Sequence, residues 1–292
     1  MEALWTCGHL HGKSGRIMSS LKIAIQGVPG SFHHQVALIN FGIDSEIFPF
    51  NTFEPVAKSV ATGEADFGVM AIENSIAGAI LPNYDLIDRY ELHIKDEFYL
   101  PIAHQFMAWP GQKIEDITEV RSHPMAILQC KTFLASYPHI QQFDDVDTAS
   151  VARRISEESL HGVAAIASEI AAEIYGLEIL ARDIQTVKDN FTRFIILTKE
   201  KTKPEGTPNK ASFKVTIRNQ KGGLAKLLTM LSDKNLNLSK IQSIPVIEKP
   251  WEYAFFIDAE FEHYGQFQEA MNLTLKDFGD LTIFGEYSSR KA

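Results

Sequence analysis

The sequence predicts an α/β protein made of two consecutive domains, and three observations carry the prediction. Short apolar runs that open into polar turns alternate with helical stretches over most of the chain. A charged segment with almost nothing apolar in it, KEKTKPEGTPNK at 199–210, interrupts that pattern. Beyond it the period switches between two and 3.6 in the order βαββαβ. With 292 residues, 45% of them hydrophobic and 22% charged, each part is long enough to bury a core of its own.

Each element follows from its residues. Residues 1–20 lack a continuous apolar run and a small-residue cleavage site, so they read as a disordered extension, not a signal peptide, and Met18 is an alternative start. Leu21, Ile23 and Ile25 alternate with Lys22, Ala24 and Gln26 as a strand; Gly27-Val28-Pro29-Gly30 ends it, and a helix runs from about Phe32 to Phe41. Phe67 to Ile72 is a strand ending at Glu73-Asn74-Ser75, and Val163 to Ala167 is another, ending at Ser168 before an Ala-rich helix that stops at Tyr175-Gly176. Alternation of this kind implies mostly parallel strands, with ligands bound beyond their carboxyl ends. After the linker, Phe213, Val215 and Ile217 form a strand, and Leu224, Leu227, Leu228 and Leu231 share one helix face. Ile241 to Ile247 and Trp251 to Ala259 are strands, Gln266 to Asp277 a helix, and Leu281 to Phe284 extended, which together is a ferredoxin-like arrangement.

Charge and cysteine usage remove several function classes. Lys plus Arg is 28 against 37 Asp plus Glu, a net charge of -9, so no nucleic-acid partner is expected, whereas a small anion held by local donors is allowed. Cys7 and Cys130 cannot build a disulfide framework and imply reduced thiols in a cytoplasmic protein. No apolar run approaches the roughly 20 residues of a membrane span. Gly8 to Ser14 is one residue short of a phosphate loop, Gly27 and Gly30 do not complete a dinucleotide fingerprint, and Cys7, His9 and His11 make a weak metal set, so neither metal nor cofactor is expected. The N-x-[ST] triplets at Asn190, Asn237 and Asn272 imply glycosylation only in a secreted chain.

Four polar segments remain: GVPGSF (27–32), IENSIAG (72–78), SHPMAILQC (122–130) and DNFTRF (189–194). In this order they resemble the prephenate dehydratase family, which carries G-P-x-G-[ST]-F, E-N-S-x-x-G, S-H-P-x-x-x-x-Q-C and N-x-T-R-F segments and then an ACT domain. The resemblance spans roughly residues 21 to 290. It implies a bilobed catalytic domain like a periplasmic binding protein, with lobe 1 at about 21–99 and 185–199, and lobe 2 at about 100–184. A linker at 200–210 and an ACT domain of ferredoxin-like form at 211–290 follow. The implied reaction converts prephenate to phenylpyruvate, water and carbon dioxide in phenylalanine biosynthesis, a hydro-lyase chemistry needing no cofactor.

The resemblance also implies residue roles. Thr192 of T-R-F is the donor to the departing hydroxyl; an isolated threonine hydroxyl is a poor acid, so it works by hydrogen bonding, as one link of a relay. Asn74, Ser122 and Gln129 complete the catalytic set, and Ser31, Ser75, Arg193 and Phe194 contact substrate. Each has a plainer alternative. Asn74, Ser75 and Ser31 suit helix capping, as do Ser168 and Thr148, and His123 suits a cap or turn. Arg193 suits a substrate carboxylate through its bidentate fork, or a structural salt bridge. Met125, where the family has Gln or Glu, and His33-His34 depart from the pattern and leave prephenate against arogenate open. A non-catalytic anion sensor is the reading from another class.

In the second domain Gly222, Gly223 and Leu224 match a G-A-L turn, and Asn237 matches the second loop. Gln242-Ser243-Ile244-Pro245 stands where E-S-R-P is usual. The resemblance implies phenylalanine as effector and pairing through ACT domains into a homodimer or homotetramer; the alternative is a dimerisation module without ligand.

Overall fold

The computed structural model describes residues 20–204, 206–218, 220–245 and 253–290. The readings of Cys7, His9, His11, Met18, Ile247 and Trp251 lie outside the described residues. The first lobe runs β1 (Lys22–Gln26), α1 (Phe32–Phe41), β2 (Glu46–Phe50), α2 (Phe53–Thr62), β3 (Phe67–Asn74), β4 (Gly78–Ala79), α3 (Leu81–Arg89) and β5 (His93–Pro101). The second holds β6 (Gln105–Ala108), β7 (Glu119–Ser122), α4 (Pro124–Gln129), α5 (Lys131–Ala135), β8 (Gln141–Asp144), α6 (Thr148–Glu158), β9 (Val163–Ala167), α7 (Glu169–Tyr175) and β10 (Glu178–Ala181). The chain then returns to the first sheet as β11 (Phe191–Thr198). The last domain is β12 (Lys210–Ile217), α8 (Gly223–Asp233), β13 (Asn237–Pro245), β14 (Tyr253–Glu260), α9 (Tyr264–Phe278) and β15 (Leu281–Tyr287).

Strand orders are β2-β1-β3-β11-β5, β10-β6-β9-β7-β8 and β13-β14-β12-β15. Apart from the two-residue β4, one strand in each of the first two sheets runs against the others, so the strands are mostly parallel in direction, as expected, and the sheets are mixed only at that strand. β11 is antiparallel to β3 and β5, and β6 is antiparallel to β9 and β10. These are the two strands by which the chain enters one lobe from the other; a crossover helix enforces parallel pairing, and an interlobe crossing does not. The crossings lie side by side, with Ile102 N donating to Asn190 O at 2.7 Å and Ile184 N to His104 O at 2.9 Å.

The first sheet buries Ile23, Ile25, Val69, Phe194 and Ile196 with Val36 of α1 on one face. Its other face carries Ile195 and Leu197, covered by α2, α3 and the open face of the third sheet, so that Val56, Tyr84, Ile87, Phe256, Phe284 and Tyr287 form one cluster across the domains. The third sheet keeps a separate core against its helices, built on Phe213, Leu227, Leu231, Ile257 and Phe267. Lys210, assigned to the linker by its charge, is instead the first residue of β12 and 1% exposed. Its ammonium is buried because it bonds both carboxylate oxygens of Glu97 at 3.0 Å.

Candidate active site

A cleft of about 430 Å³ opens between the lobes. Its floor is where β3 and β11 end beside the hinge, and a β-bulge shapes it. Thr192 pairs with Asn74 and Arg193 with Glu73, but Phe194 pairs with Ala71, leaving one extra residue on β3. Ala71 lines the cleft, Ile72 packs into the interdomain cluster, Glu73 reaches Lys240 of β13, and Asn74 again lines the cleft. Strict alternation would send Asn74 to the back of the sheet; the extra residue re-aims it toward Thr192.

Asn74 anchors a hydrogen-bonded chain whose direction is fixed by backbone. Its Oδ1 accepts from Ile76 N at 3.0 Å and Ala77 N at 2.9 Å, so its Nδ2 must be the donor, to Asn190 Oδ1 at 2.7 Å and Thr192 Oγ1 at 3.0 Å. Asn190 Nδ2 then donates to Gln129 Oε1 at 3.0 Å, and that oxygen also receives His104 Nε2 at 2.9 Å. His104 is therefore the Nε2–H tautomer, with a bare, buried Nδ1 that has no hydrogen-bond partner among the described residues. Burial lowers its pKa, partly offset by the bond to Gln129, and keeps the ring neutral. Thr192, 9% exposed, has its oxygen engaged by Asn74, while its own hydrogen finds no acceptor among the described residues.

The amino ends of helices supply the positive potential. Ser31 caps α1, its Oγ accepting from His34 N at 3.2 Å, and Asp147 caps α6, accepting from Ser150 N at 2.7 Å. His123 caps the short α4 through Nδ1, 3.2 Å from Met125 N. Ser168 caps α7, while Thr148 is the first residue of α6 and not its cap. Among the described residues lining the cleft, Asp147 alone bears a formal charge. The rest of the wall is largely apolar, including Phe32, Phe53, Ile80 and Phe194. His33 lies within it, its ring edge-on to Phe194 at 5.0 Å and its Nε2 accepting from Ala71 N at 3.3 Å; burial pushes its pKa down to about 3. The GVPG loop is pinned to the second lobe, with Ser168 Oγ donating to Gly30 O at 2.5 Å and Tyr175 OH to Pro29 O at 2.7 Å. At Gly30, whose φ of 89° disfavours other residues, a Cβ would also lie 3.0 Å from Ala171 Cα, tighter than ordinary contact.

Of the residues singled out from sequence, Ser31, Asn74, Gln129, Thr192 and Phe194 meet at this cleft. Three do not line it. Ser75 Oγ accepts from Phe191 N at 2.9 Å and ties the β3 turn to β11. Ser122 is fully buried, its Oγ donating to Ile166 O at 2.6 Å between β7 and β9. Arg193 alternates with Thr192 and Phe194 and faces the third sheet, pairing with Glu97 of β5 and with Asp258 of β14. Neighbours on one strand cannot share a face, so its salt-bridge alternative is the one realised. His104, Asn190 and Asp147 join the site without having been singled out. Asn190 stood inside DNFTRF, but His104 lies in PIAHQF with no motif spacing, and only the adjacent hinge crossings bring it in. Among the described residues no group of three metal-ligating side chains occurs.

In the third sheet Gly222 is left-handed, with φ 83°, and caps α8 without a side chain. Gly223 lies where a Cβ would come within 3.0 Å of Ile217 Cγ2, and Leu224 is half-buried. Asn237 lines a separate cavity of about 640 Å³ with Asn209, Asn235 and Glu260. Gln242 donates to Ser243 O at 3.1 Å on the edge strand β13, outside that cavity.

Fold and site together define a two-lobed cleft protein that presents a threonine hydroxyl among side-chain amides, followed by a four-stranded domain of ACT topology. A prephenate dehydratase model matches residues 23–202 and an ACT domain model residues 211–263. The chain belongs to the prephenate dehydratase family. It is 35% identical over 265 residues to a bifunctional chorismate mutase/prephenate dehydratase of Aquifex aeolicus, covering 90% of this chain and 71% of the relative. It is 38% identical over 257 residues to arogenate dehydratase/prephenate dehydratase 1 of Arabidopsis thaliana, covering 83% and 65%. Among solved structures, a prephenate dehydratase from Arthrobacter aurescens in complex with L-Phe aligns with TM-score 0.83 at 26% identity, over 92% of this chain and 90% of that one. A structure described as GqqA, a novel type of quorum quenching acylase, aligns with TM-score 0.83 at 27% identity, over 92% and 98%.

Proposed function

We propose that the chain is a hydro-lyase that removes water and carbon dioxide from prephenate to give phenylpyruvate. One observation carries the reading: the Thr192 hydroxyl lines a largely apolar cleft with its oxygen held by Asn74 and its hydrogen without an acceptor among the described residues. In prephenate the C–C bond to the ring carboxylate breaks, its electron pair enters the ring, and the ring C–O bond breaks at the far carbon, so the ring becomes aromatic as the hydroxyl group and carbon dioxide leave. The departing oxygen needs a donor. Thr192 shares its proton with that oxygen as one link of a relay refilled from solvent, so the oxygen departs as water, while Asn74 Nδ2 steadies the partial charge on Oγ1; assistance of this kind contributes on the order of 10² to 10⁴ in rate. The apolar wall raises the energy of the ring carboxylate relative to neutral carbon dioxide. The other carboxylate suits the amino end of α1, which carries no acidic cap, since no cation lines the cleft among the described residues.

The test is to supply prephenate to the purified chain and follow phenylpyruvate by its ultraviolet absorbance. Thr192→Ala is expected to lower kcat by on the order of 10² or more. No product from the wild type sinks the reading, and full activity in the variant sinks the role of Thr192. Arogenate is a second reading, favoured by Asp147, whose carboxylate would meet the substrate's ammonium. If arogenate is preferred, Asp147→Asn shifts the kcat/KM ratio toward prephenate.

We further propose phenylalanine as effector, with Gly222, Gly223, Leu224, Asn237, Gln242 and Ser243 in its binding region, and pairing of ACT domains in a homodimer or homotetramer. The L-Phe complex of the Arthrobacter relative and the edge position of β13 support this. Calorimetric titration with phenylalanine checks it, and no heat with no rate change would refute it. A cytoplasmic location suits Cys130, whose buried thiol is pushed up to about 12 and is inert. Among the described residues no helix is long and apolar enough to cross a membrane.

A further inference from the structure

We propose that the third sheet is part of the active-site scaffold: Lys240, Asp258 and Tyr287 are positioning residues that grip the back of the β3–β11 bulge and so hold Asn74 and Thr192 in register.

The cross-strand pair Thr192–Asn74 carries the chemistry, and the pair next to it, Arg193–Glu73, faces the opposite way. Both members of that second pair are held by the ACT domain. Arg193 is 5% exposed; its Nη1 bonds Asp258 Oδ2 of β14 and its Nη2 bonds Tyr287 OH of β15 at 2.9 Å, while Nε takes Glu97 Oε2 of its own lobe at 2.7 Å. Ser212 of β12 braces the pair, bonding Asp258 Oδ1 and lying 2.5 Å from Tyr287 OH. Glu73 meets Lys240 of β13 at 2.7 Å.

Charge placement shows why this grip is specific. The lobe contributes Arg193 and Glu97 and the ACT sheet contributes Lys210 and Asp258, so the four buried charges sum to zero. Arg193 pairs across to Asp258 and Lys210 across to Glu97. A planar guanidinium engaged on three nitrogens has no rotational freedom left, so the backbone of residue 193 is fixed relative to the ACT sheet.

Position matters here because a bulge is irregular. Ladder hydrogen bonds alone fix the register weakly where two residues oppose one, and a slip of one residue would turn Thr192 or Asn74 to the wrong face. Pins on Arg193 and Glu73, one residue from each chemical group, select the register in which Asn74 Nδ2 meets Thr192 Oγ1. Reactions of this kind are sensitive to displacement, about 1 Å costing up to 10²-fold.

The kinetic arm rests on the dehydratase reading, so a second arm does not. Tyr287→Phe removes the hydroxyl's bonds to Arg193 and Ser212, and Lys240→Met removes the ion pair to Glu73, each with little change of shape; Asp258→Asn is the stronger variant. In full-length protein, kcat is expected to fall on the order of tenfold for Tyr287→Phe with KM within about twofold. The same substitutions leave the residual rate of a Thr192→Ala background unchanged, because they act through that hydroxyl. Hydrogen–deuterium exchange quickens at 72–77 and 189–194 while the β1–β2 amides keep wild-type protection. Folded variants with wild-type kcat and wild-type exchange at those segments overturn the proposal, as does an equal loss in the Thr192→Ala background. If the wild type turns over no prephenate, the dehydratase reading fails, and exchange alone decides the coupling.

Discussion

Asn74 is oriented by two backbone N–H groups, and everything downstream of it inherits a direction: Asn190 donates, Gln129 accepts, and His104 must carry its proton on Nε2. Asn190→Asp tests that logic, because a carboxylate facing Gln129 Oε1 has no hydrogen to give. The expected result is a loss of about 1–3 kcal/mol in urea unfolding together with a slower turnover; an unchanged midpoint would count against the chain. A second prediction concerns pH. Between its ordinary value of 6.5 and the folded value of about 3, the unfolded chain protonates His33 and the folded chain does not. The unfolded state then binds more protons, so stability falls as pH falls, by about 2 kcal/mol between pH 7 and 5 for this residue. His34, also lowered by burial, adds in the same direction. His33→Gln should remove its share of the slope in unfolding curves taken at pH 7, 6 and 5. Arg193 shows how much of the site was legible at this scale. A strand period of two forbids Thr192, Arg193 and Phe194 from facing one cleft, so the pattern itself contained the choice between substrate ligand and salt bridge. What the pattern lacked was the partner, since Asp258 lies 65 residues away.

Alternation made β1 and β12 legible, and short apolar runs ending in polar turns made β3 and β9 legible, whereas the bulge in β3 has no sequence signature. Phe67 to Ile72 reads as one continuous apolar run, and only the pairing with β11 reveals the extra residue that turns Asn74 forward. Close approach between elements is equally silent. Gly285 sits in the middle of β15 with no turn to explain it, yet a Cβ there would lie 2.1 Å from the carbonyl oxygen of Ile94 on β5. The glycine exists so that the two strands can touch. Gly285→Ala must push β15 off β5, and because the obstacle is backbone, neighbouring side chains cannot absorb it. Overpacking of this kind costs about 1–3 kcal/mol, or more where nothing yields. A lowered melting temperature with faster proteolysis within 199–209 is expected, and an unchanged melting curve would show that the strands are not in contact.

Across the whole molecule the charged run at 199–210 divides the sequence but not the packing. Low apolar content marks a surface segment, which most of its described residues up to Asn209 form, with Pro208 buried; it says nothing about whether the domains it joins rest on each other. They share one cluster, in which Phe256 and Phe284 stack at 5.2 Å and Tyr84 meets Phe256 at 5.3 Å, and they share four buried charges. Such contacts between distant segments could not be read from local periodicity, because each face looks locally like an ordinary sheet surface. Their consequence is cooperativity. Separating the domains exposes the cluster and strips Asp258 and Tyr287 from Arg193, and breaking a buried pair on one side costs about 3–5 kcal/mol, a large part of a domain's usual margin of roughly 5–15 kcal/mol. The full chain should therefore unfold in one calorimetric transition, with calorimetric and van't Hoff enthalpies equal. A fragment ending at residue 204 should melt lower by roughly 6–20 °C and bind a hydrophobic dye through the face that Tyr84, Ile87 and Ile94 leave bare. Two resolved transitions in the full chain, or a fragment as stable as the whole, would mean that the linker separates the domains energetically as well as in sequence, and that the buried charges between them contribute nothing to either.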